Sequence, residues 1–236
     1  AFPSFTGVVY EVQIFDFNIA NVLATGGTVA ADKSTQYPKG YQPDLSFPGY
    51  VSALAYGGFQ GTVPCETVMA IGSENQVWYR GSDQPIGDAP VMDTAFNGVA
   101  GNGDFTVVEI VLADNAATDM YVLTSESRVY SNTGDNQTWI DLSDNLPGML
   151  TGINRHMAFV RNSNTNSRAL FVSANNTVCF ATCTEGGDWT SWQSFKGNLP
   201  NAVLDQIRYD PVDDVLVLAT IGRGAWLLEN VSSFLP

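Results

Sequence analysis

The sequence repeats itself at intervals of about 50 residues, and this period limits the folds open to the chain. Two segments match most closely, Trp139-Ile-Asp-Leu-Ser-Asp-Asn-Leu-Pro147 and Trp192-Gln-Ser-Phe-Lys-Gly-Asn-Leu-Pro200, whose Trp, Asn, Leu and Pro residues lie 53 positions apart. Four segments that each join two apolar runs through a polar or glycine turn recur at a similar spacing, at 68–79, 120–130, 169–180 and 215–228. This pattern is typical of a β-hairpin.

Upstream of each hairpin lies another short strand-like segment, centred on Leu54, Ile110, Met157 and Ile207. One unit is therefore four short antiparallel strands, which is typical of a propeller blade. The sequence predicts an all-β propeller of about four to five blades as one domain over residues 1–236, with about four repeats in 50–236 and a partial N-terminal blade and loop in 1–49. Either the N-terminal strands close a five-blade ring by joining the C-terminal blade, or the chain is a fragment that other polypeptide completes. No segment has a sustained helical period, so we expect almost no helix.

Charge excludes several classes of partner. The chain has 24 acidic and 10 basic residues, a net charge of −14, and three lysines. Nucleic acid and anionic membranes need a basic surface, so neither is an expected partner. No run of apolar residues is long enough for a membrane-spanning helix, so membrane insertion is not expected.

Composition also favours secretion to the extracellular medium or the cell surface. The chain has 17 Asp, 18 Asn and three glycosylation sequons, at Asn136, Asn175 and Asn230. The three cysteines, Cys65, Cys179 and Cys183, are an odd number, so a secreted chain is expected to have one disulfide and one buried thiol, with the pairing left open. Cys179 and Cys183 would lie about 13 Å apart on a straight strand, too far for a bridge without a turn or bulge.

No cofactor is expected, and a transition-metal site is not expected either, because the chain has one histidine and no CxxC spacing. A structural calcium ion stays open, because the acid-rich segments 210–214 and 114–119 contain oxygen ligands of the kind that calcium prefers.

A turn in the third unit carries a family signal. The segment Thr182-Cys-Thr-Glu-Gly-Gly-Asp-Trp189 resembles the Asp-box (BNR) motif, Ser-x-Asp-x-Gly-x-Thr-Trp, with Gly186 and Trp189 at their motif positions. It departs from the motif at Thr182, Thr184 and Asp188. In the preceding unit, Ser131, Thr138 and Trp139 match the motif with one residue inserted.

The resemblance spans about residues 50–230 and implies a propeller similar to those of sialidases, xyloglucan-active glycosidases and sortilin-type receptors. In that family the box is a structural device. The resemblance therefore implies structural roles for the six matching residues, which are Ser131, Thr138, Trp139, Thr182, Gly186 and Trp189.

The innermost strands of a propeller line a central channel, and polar residues on them are candidates for a binding site. Six such residues fall on the channel or the turn-bearing face: Glu109, Arg155, His156, Asp205, Gln206 and Arg223. Polar residues are also expected there simply because the channel is wet. We assign no catalytic residue, because the arginines lack the sequence context of a sialidase and no pair of acids stands out as a glycosidase pair.

The sequence therefore predicts a non-catalytic binding or assembly module for protein or glycan. The alternatives are a glycan-cleaving hydrolase, similar to a sialidase or xyloglucanase, and a structural subunit of a larger extracellular assembly.

Overall fold

The computed structural model describes residues 51–57, 59–60, 63–65, 68–81, 90–101, 103–113, 119–132, 138–153, 155–195, 199 and 201–236. The predicted partial blade at 1–49, the sequon at Asn136 and most of the acidic segment 114–119 lie outside these residues.

The described residues form an all-β propeller of four blades built from antiparallel strands in chain order, which confirms the predicted fold class. Blade 1 contains β1 (Val51–Tyr56), β4 (Met69–Ser73), β5 (Gln76–Arg80) and β6 (Val91–Met92). A small hairpin follows β1. Its strands, β2 (Phe59–Gln60) and β3 (Val63–Pro64), have two residues each.

The other three blades follow the same path from the innermost strand outward. Blade 2 contains β7 (Val107–Leu112), β8 (Met120–Thr124), β9 (Val129–Asn132) and β10 (Trp139–Asp141). Blade 3 contains β11 (Arg155–Arg161), β12 (Arg168–Ala174), β13 (Thr177–Cys183) and β14 (Gln193–Ser194). Blade 4 contains β15 (Leu204–Asp210), β16 (Val215–Thr220) and β17 (Gly224–Glu229).

Apolar residues on both faces of the strands hold the blades together. Three core clusters lie between blades 1 and 2, blades 2 and 3, and blades 3 and 4. We call the residues at the centres of the innermost strands the anchors. The anchors Ile110, Met157 and Ile207 each face the preceding blade and are 0–4% exposed. Leu54, at the equivalent place in blade 1, is 53% exposed, because the described part of the chain has no blade before it. Burial of an anchor therefore depends on its neighbouring blade.

The two tryptophans of the 53-residue repeat are hydrogen-bonded to the preceding blade, Trp139 to blade 1 and Trp192 to blade 2. The Trp139 indole N–H donates to Asp93 Oδ2 (2.9 Å), and the Trp192 indole N–H donates to the Leu142 carbonyl (2.7 Å). Asp93 and Leu142 both follow the outer strand of the preceding blade. The Asn145 side chain accepts from the Trp192 N–H (2.9 Å) and donates to its carbonyl (3.0 Å). Trp139, Trp192 and Asn145 therefore join consecutive blades.

The expectation of almost no helix missed a short helix in the link between blades 1 and 2. This helix, α1 (Thr94–Ala100), begins where Asp93 Oδ1 accepts the N–H groups of Ala95 (3.0 Å) and Phe96 (3.2 Å). It has seven residues and one buried side chain, Phe96, so its sequence cannot show a repeating apolar period. A second helix, α2 (Leu146–Met149), and a 3-10 helix (Val231–Phe234) are shorter still. No helix among the described residues is long and apolar enough to cross a membrane.

The expected disulfide is wrong, because none of the three cysteines is in a disulfide and all are buried. Cys179 and Cys183 lie on β13, which pairs with β12 without a register shift, so the strand keeps them apart. Cys65 lies in the cluster between blades 1 and 2. Burial raises the pKa of the Cys179 thiol to about 11.

A thiol titration checks this arrangement. We expect no rapid reaction with a disulfide reagent at pH 8 in the native protein and three reactive thiols in guanidinium chloride, because each thiol is buried. The pKa of Cys179 is higher in the folded state than its ordinary value near 9. Its contribution to the free energy of unfolding is therefore fully present below pH 9 and is lost as the pH rises towards 11. A single reactive thiol after unfolding would show that a disulfide is present and contradict the structure.

Close approach of blades 1 and 2 requires a glycine at position 72. A Cβ atom at Gly72, on β4, would lie 2.5 Å from Val107 Cγ1 and 3.1 Å from Ala53 Cβ. We expect Gly72→Ala to lower the free energy of unfolding by about 1–3 kcal/mol, because the neighbouring blade has to shift. Urea denaturation measures this loss.

The chain offers a matched control and a rescue. Gly148→Ala should leave stability nearly unchanged, since a Cβ atom there meets nothing within 4 Å. Val107→Ala should recover part of the loss when combined with Gly72→Ala, because it removes the methyl group at 2.5 Å but leaves the Val107 Cβ atom at 2.9 Å. A Gly72→Ala loss no larger than that of Gly148→Ala would contradict the clash between blades.

Candidate functional site

A central cavity of about 610 Å³ lies between the innermost strands of all four blades. Its walls are mostly apolar. They include Leu54 and Tyr56 from blade 1, Val111 from blade 2, Met157 and Phe159 from blade 3, and Tyr209 from blade 4. Two charged side chains, Glu109 and Arg208, also line it. The cavity therefore combines an apolar lining with one localised polar group.

That polar group is centred on the carboxylate of Glu109, which contacts a cationic or imidazole side chain through each oxygen. The Oε2 atom lies 2.8 Å from His156 Nδ1, and Oε1 lies 2.8 Å from Arg208 Nη1. An ionised carboxylate only accepts hydrogen bonds, so the His156 Nδ1 atom carries a proton in this contact. We call these three residues the Glu109 network.

The Glu109 network joins three blades, because Glu109 lies on β7, His156 on β11 and Arg208 on β15. The Glu109 side chain is 12% exposed, whereas the Arg208 side chain is 52% exposed. The carboxylate is therefore enclosed, and the guanidinium has further donors that face solvent.

Two of the six predicted binding residues, Glu109 and His156, come together in this network. The structure adds Arg208, which sequence reasoning missed. Arg208 lies two positions after the predicted Gln206 on the same strand, so both point to the same face of blade 4. That period of two was the signal available in the sequence.

The other predicted residues lie elsewhere. Arg155 Nε donates to Ser127 Oγ (2.7 Å) at the interface between blades 2 and 3, and burial lowers the pKa of its guanidinium. Asp205, Gln206 and Arg223 are exposed, and no side-chain hydrogen bond joins them to another residue in the described part of the chain. None of these four lines the central cavity.

A repeated bulge explains the place of Asp205. Ser52, Val108 and Asp205 each occupy a register shift near the start of an innermost strand, in blades 1, 2 and 4. In two cases the strand just before the bulge is bonded to the previous blade: the Val107 N–H donates to the Glu74 carbonyl (2.7 Å), and the Leu204 N–H to the Asn175 carbonyl. The bulge at Asp205 is thus part of how blades join.

Blade 3 lacks this bulge. Its innermost strand, β11, pairs with β12 in unbroken register from Arg155 to Arg161. At the start of β11 the Arg155 side chain bonds to Ser127 of blade 2, whereas blades 2 and 4 bond to the preceding blade through a backbone N–H at the corresponding place. This position gives Arg155 a structural contact between blades.

The residues matched to the Asp-box motif lie at the outer side of blades 2 and 3. Ser131 is buried on β9, Trp139 is buried on β10, and Thr138 just before it is exposed. Gly186 has a φ of +67° in the turn after β13. The Thr182 N–H donates to Thr190 Oγ1 (3.0 Å), and Trp189 packs edge-on against Tyr121 of blade 2, with ring centroids 5.8 Å apart.

The acid-rich turn after β15 was a candidate for calcium. Asp210 Oδ1 accepts the Val212 N–H (2.8 Å), and Asp214 accepts from the Tyr209 hydroxyl (2.9 Å) and from Ser232. In the parts of the chain that the structure describes, no three His, Cys, Asp or Glu side chains are grouped as a metal site. A structural calcium ion stays a prediction.

Two sequons lie among the described residues. Asn175 has a φ of +49° in the turn between β12 and β13, and its side chain occupies the space beside Gly152. Asn230 is exposed, directly before the 3-10 helix. Glycosylation at either site stays a prediction.

Comparison with known proteins supplies no family. No protein-family model matches the chain, and no curated protein matches it. Among solved structures it is similar to the β-propeller domain of Cps50 (Swd1) from Myceliophteria thermophila, with a TM-score of 0.47 and 12% identity over 75% of this chain and 53% of that one. It is also similar to Raptor from Chaetomium thermophilum, with a TM-score of 0.46 and 11% identity over 79% of this chain and 16% of that one.

The chain thus spans about half of the first structure and a much smaller part of the second. Neither likeness bears on function. The Asp-box resemblance gains no support from them.

Removing the charge of Glu109 tests the network. We expect Glu109→Gln to lower the free energy of unfolding at pH 7 by about 1–3 kcal/mol, because both charge-assisted contacts of an enclosed carboxylate weaken. The matched control is Glu126→Gln, whose exposed carboxylate lies 3.8 Å from Arg128 Nε and should contribute less than about 0.5 kcal/mol. Equal losses in urea titrations would contradict a network that joins the blades.

Proposed function

We propose that this propeller is a non-catalytic module that binds other proteins and takes part in their assembly. The observation that carries the proposal is the central cavity, which combines an apolar lining with a single anchored polar group. Ligand sites of this kind recognise by shape and apolar contact, and a few placed polar groups fix orientation.

The Glu109 network argues against the glycan-cleaving alternative. A glycosidase needs two carboxylates on opposite sides of the scissile bond. Along the described wall of the cavity Glu109 is the one carboxylate, and both of its oxygens are already engaged. Asp205, the other candidate acid, does not line the cavity. We therefore favour recognition over hydrolysis.

The chemistry of the cavity indicates what part of a partner it receives. Leu54 and Tyr56 expose apolar surface to it, and the half-exposed Arg208 guanidinium has further donors that face solvent. Because Glu109 already balances the charge of Arg208, a fully charged anion gains little there. An apolar side chain next to a backbone carbonyl fits the site best.

Glycan binding remains a proposal that rests on the Asp-box resemblance, and a secreted or surface location remains one that rests on composition and the sequons. A structural role in a larger assembly is compatible with the exposed anchor Leu54, since another blade would bury it. In that case the partner would be the polypeptide that completes the propeller.

Peptide display against the wild-type protein tests the proposal. We expect selected peptides to share an apolar residue and to lose about tenfold or more in affinity for Leu54→Asp, because a carboxylate then faces the apolar wall. Ile140→Asp is the matched control, because Ile140 is an apolar residue of similar exposure on the outer strand of blade 2, away from the cavity. Equal binding to both variants would contradict the cavity as the site. Turnover of glycosides that Glu109→Gln abolishes would favour the hydrolase instead.

A further inference from the structure

The outermost described strand of blade 4 has an open edge. In blades 1, 2 and 3 the third strand is hydrogen-bonded to a fourth, as β5 to β6, β9 to β10 and β13 to β14. Within the described residues β17 pairs with β16 alone. Its six residues therefore present one unpaired row of backbone donors and acceptors.

Leu227 on β17 is more exposed than its counterparts in blades 1 and 2. It is 63% exposed, whereas Tyr79 and Ser131 at the same register are buried. It lies on the face of blade 4 that no described blade covers, and Trp226 on the other face is partly buried, as Trp78 is in blade 1. The strand is apolar along its middle and contains no Lys or Pro, the residues that usually protect an edge.

Charges at the two ends of β17 give the edge a direction. Arg223 precedes the strand and Glu229 ends it, and both are exposed. Neither forms an ion pair with any other described residue. A strand that pairs in antiparallel orientation would start beside Glu229 and end beside Arg223.

We propose that β17 binds an extended segment of another protein as the fourth strand of blade 4. The segment has apolar residues opposite Ala225, Trp226 and Leu227, a basic residue at its amino end and an acidic residue at its carboxyl end. Main-chain hydrogen bonds supply affinity, and contacts opposite Ala225 and Leu227 supply selectivity. A second copy of this acidic chain is disfavoured by a net charge of −14 on each.

This inference concerns a different surface from the central cavity, so the two proposals can fail separately. Leu54→Asp should leave binding at β17 unchanged, because Leu54 lies on β1 and not on blade 4.

The test uses a labelled seven-residue peptide, RTVYVTE, whose ends match Glu229 and Arg223 in antiparallel pairing. Fluorescence anisotropy should show saturable binding to the full chain, weaker by about tenfold for the charge-reversed peptide ETVYVTR. In a chain that carries RTVYVTE on a Gly/Ser linker after Pro236, where the effective concentration reaches the millimolar range, amide exchange over 225–228 should slow.

Variants identify the strand. Leu227→Lys places a charge on the edge and should weaken RTVYVTE binding about tenfold, whereas Val212→Lys, the same change at another exposed apolar residue, should not. The double variant Arg223→Glu with Glu229→Arg should reverse the preference in favour of ETVYVTR.

Three results would overturn the proposal. The first is the absence of both saturable binding and slowed exchange. The second is a charge-swapped variant that keeps the original preference. The third is concentration-dependent self-association that Leu227→Lys abolishes, which would identify a second copy as the occupant.

Discussion

The packing of blade against blade is the constraint on which the rest of this structure depends. A four-stranded blade has two apolar faces and can bury neither by itself, so each central strand needs a neighbour on both sides. Residues such as Met120 and Leu123, which point in opposite directions from β8, are both fully buried for this reason. The central strands therefore have mostly apolar residues at consecutive positions.

Several unrelated contacts serve this one packing arrangement. Gly72 allows Val107 to approach, Ser52 donates to the Val107 carbonyl (2.6 Å), and the indoles of Trp139 and Trp192 bond to the outer part of the preceding blade. The Glu109 network adds a polar connection at the axis. The two surfaces proposed for binding, the cavity between the inner strands and the outer side of β17, are places where the described residues leave apolar side chains exposed.

The repeat made the fold predictable, because blade-to-blade packing requires the same pattern in each unit. The spacing of Ile110, Met157 and Ile207 placed them at the centres of the innermost strands, and packing between blades buries them. The helix α1 escaped prediction because its start depends on the side chain of Asp93 and its packing on one residue, Phe96. The disulfide was expected from the parity of the cysteines, and parity has no bearing on whether β13 holds Cys179 and Cys183 apart.

The candidate site was predictable only in part. Glu109 and His156 occupy equivalent positions in neighbouring units, so an alignment of the repeats brings them together. Arg208 reaches them from a third blade at a non-equivalent position, and no alignment shows that contact.

By itself, the sequence determined the all-β character, the length of each unit and the positions of its strands, because these follow from local strand patterns. Only the tertiary structure decided which side chains meet across the axis, that Leu54 stays exposed while its equivalents are buried, and that β17 pairs with one strand alone among the described residues. Those features depend on the number of blades that pack against one another, and the sequence pattern within one blade does not specify that number.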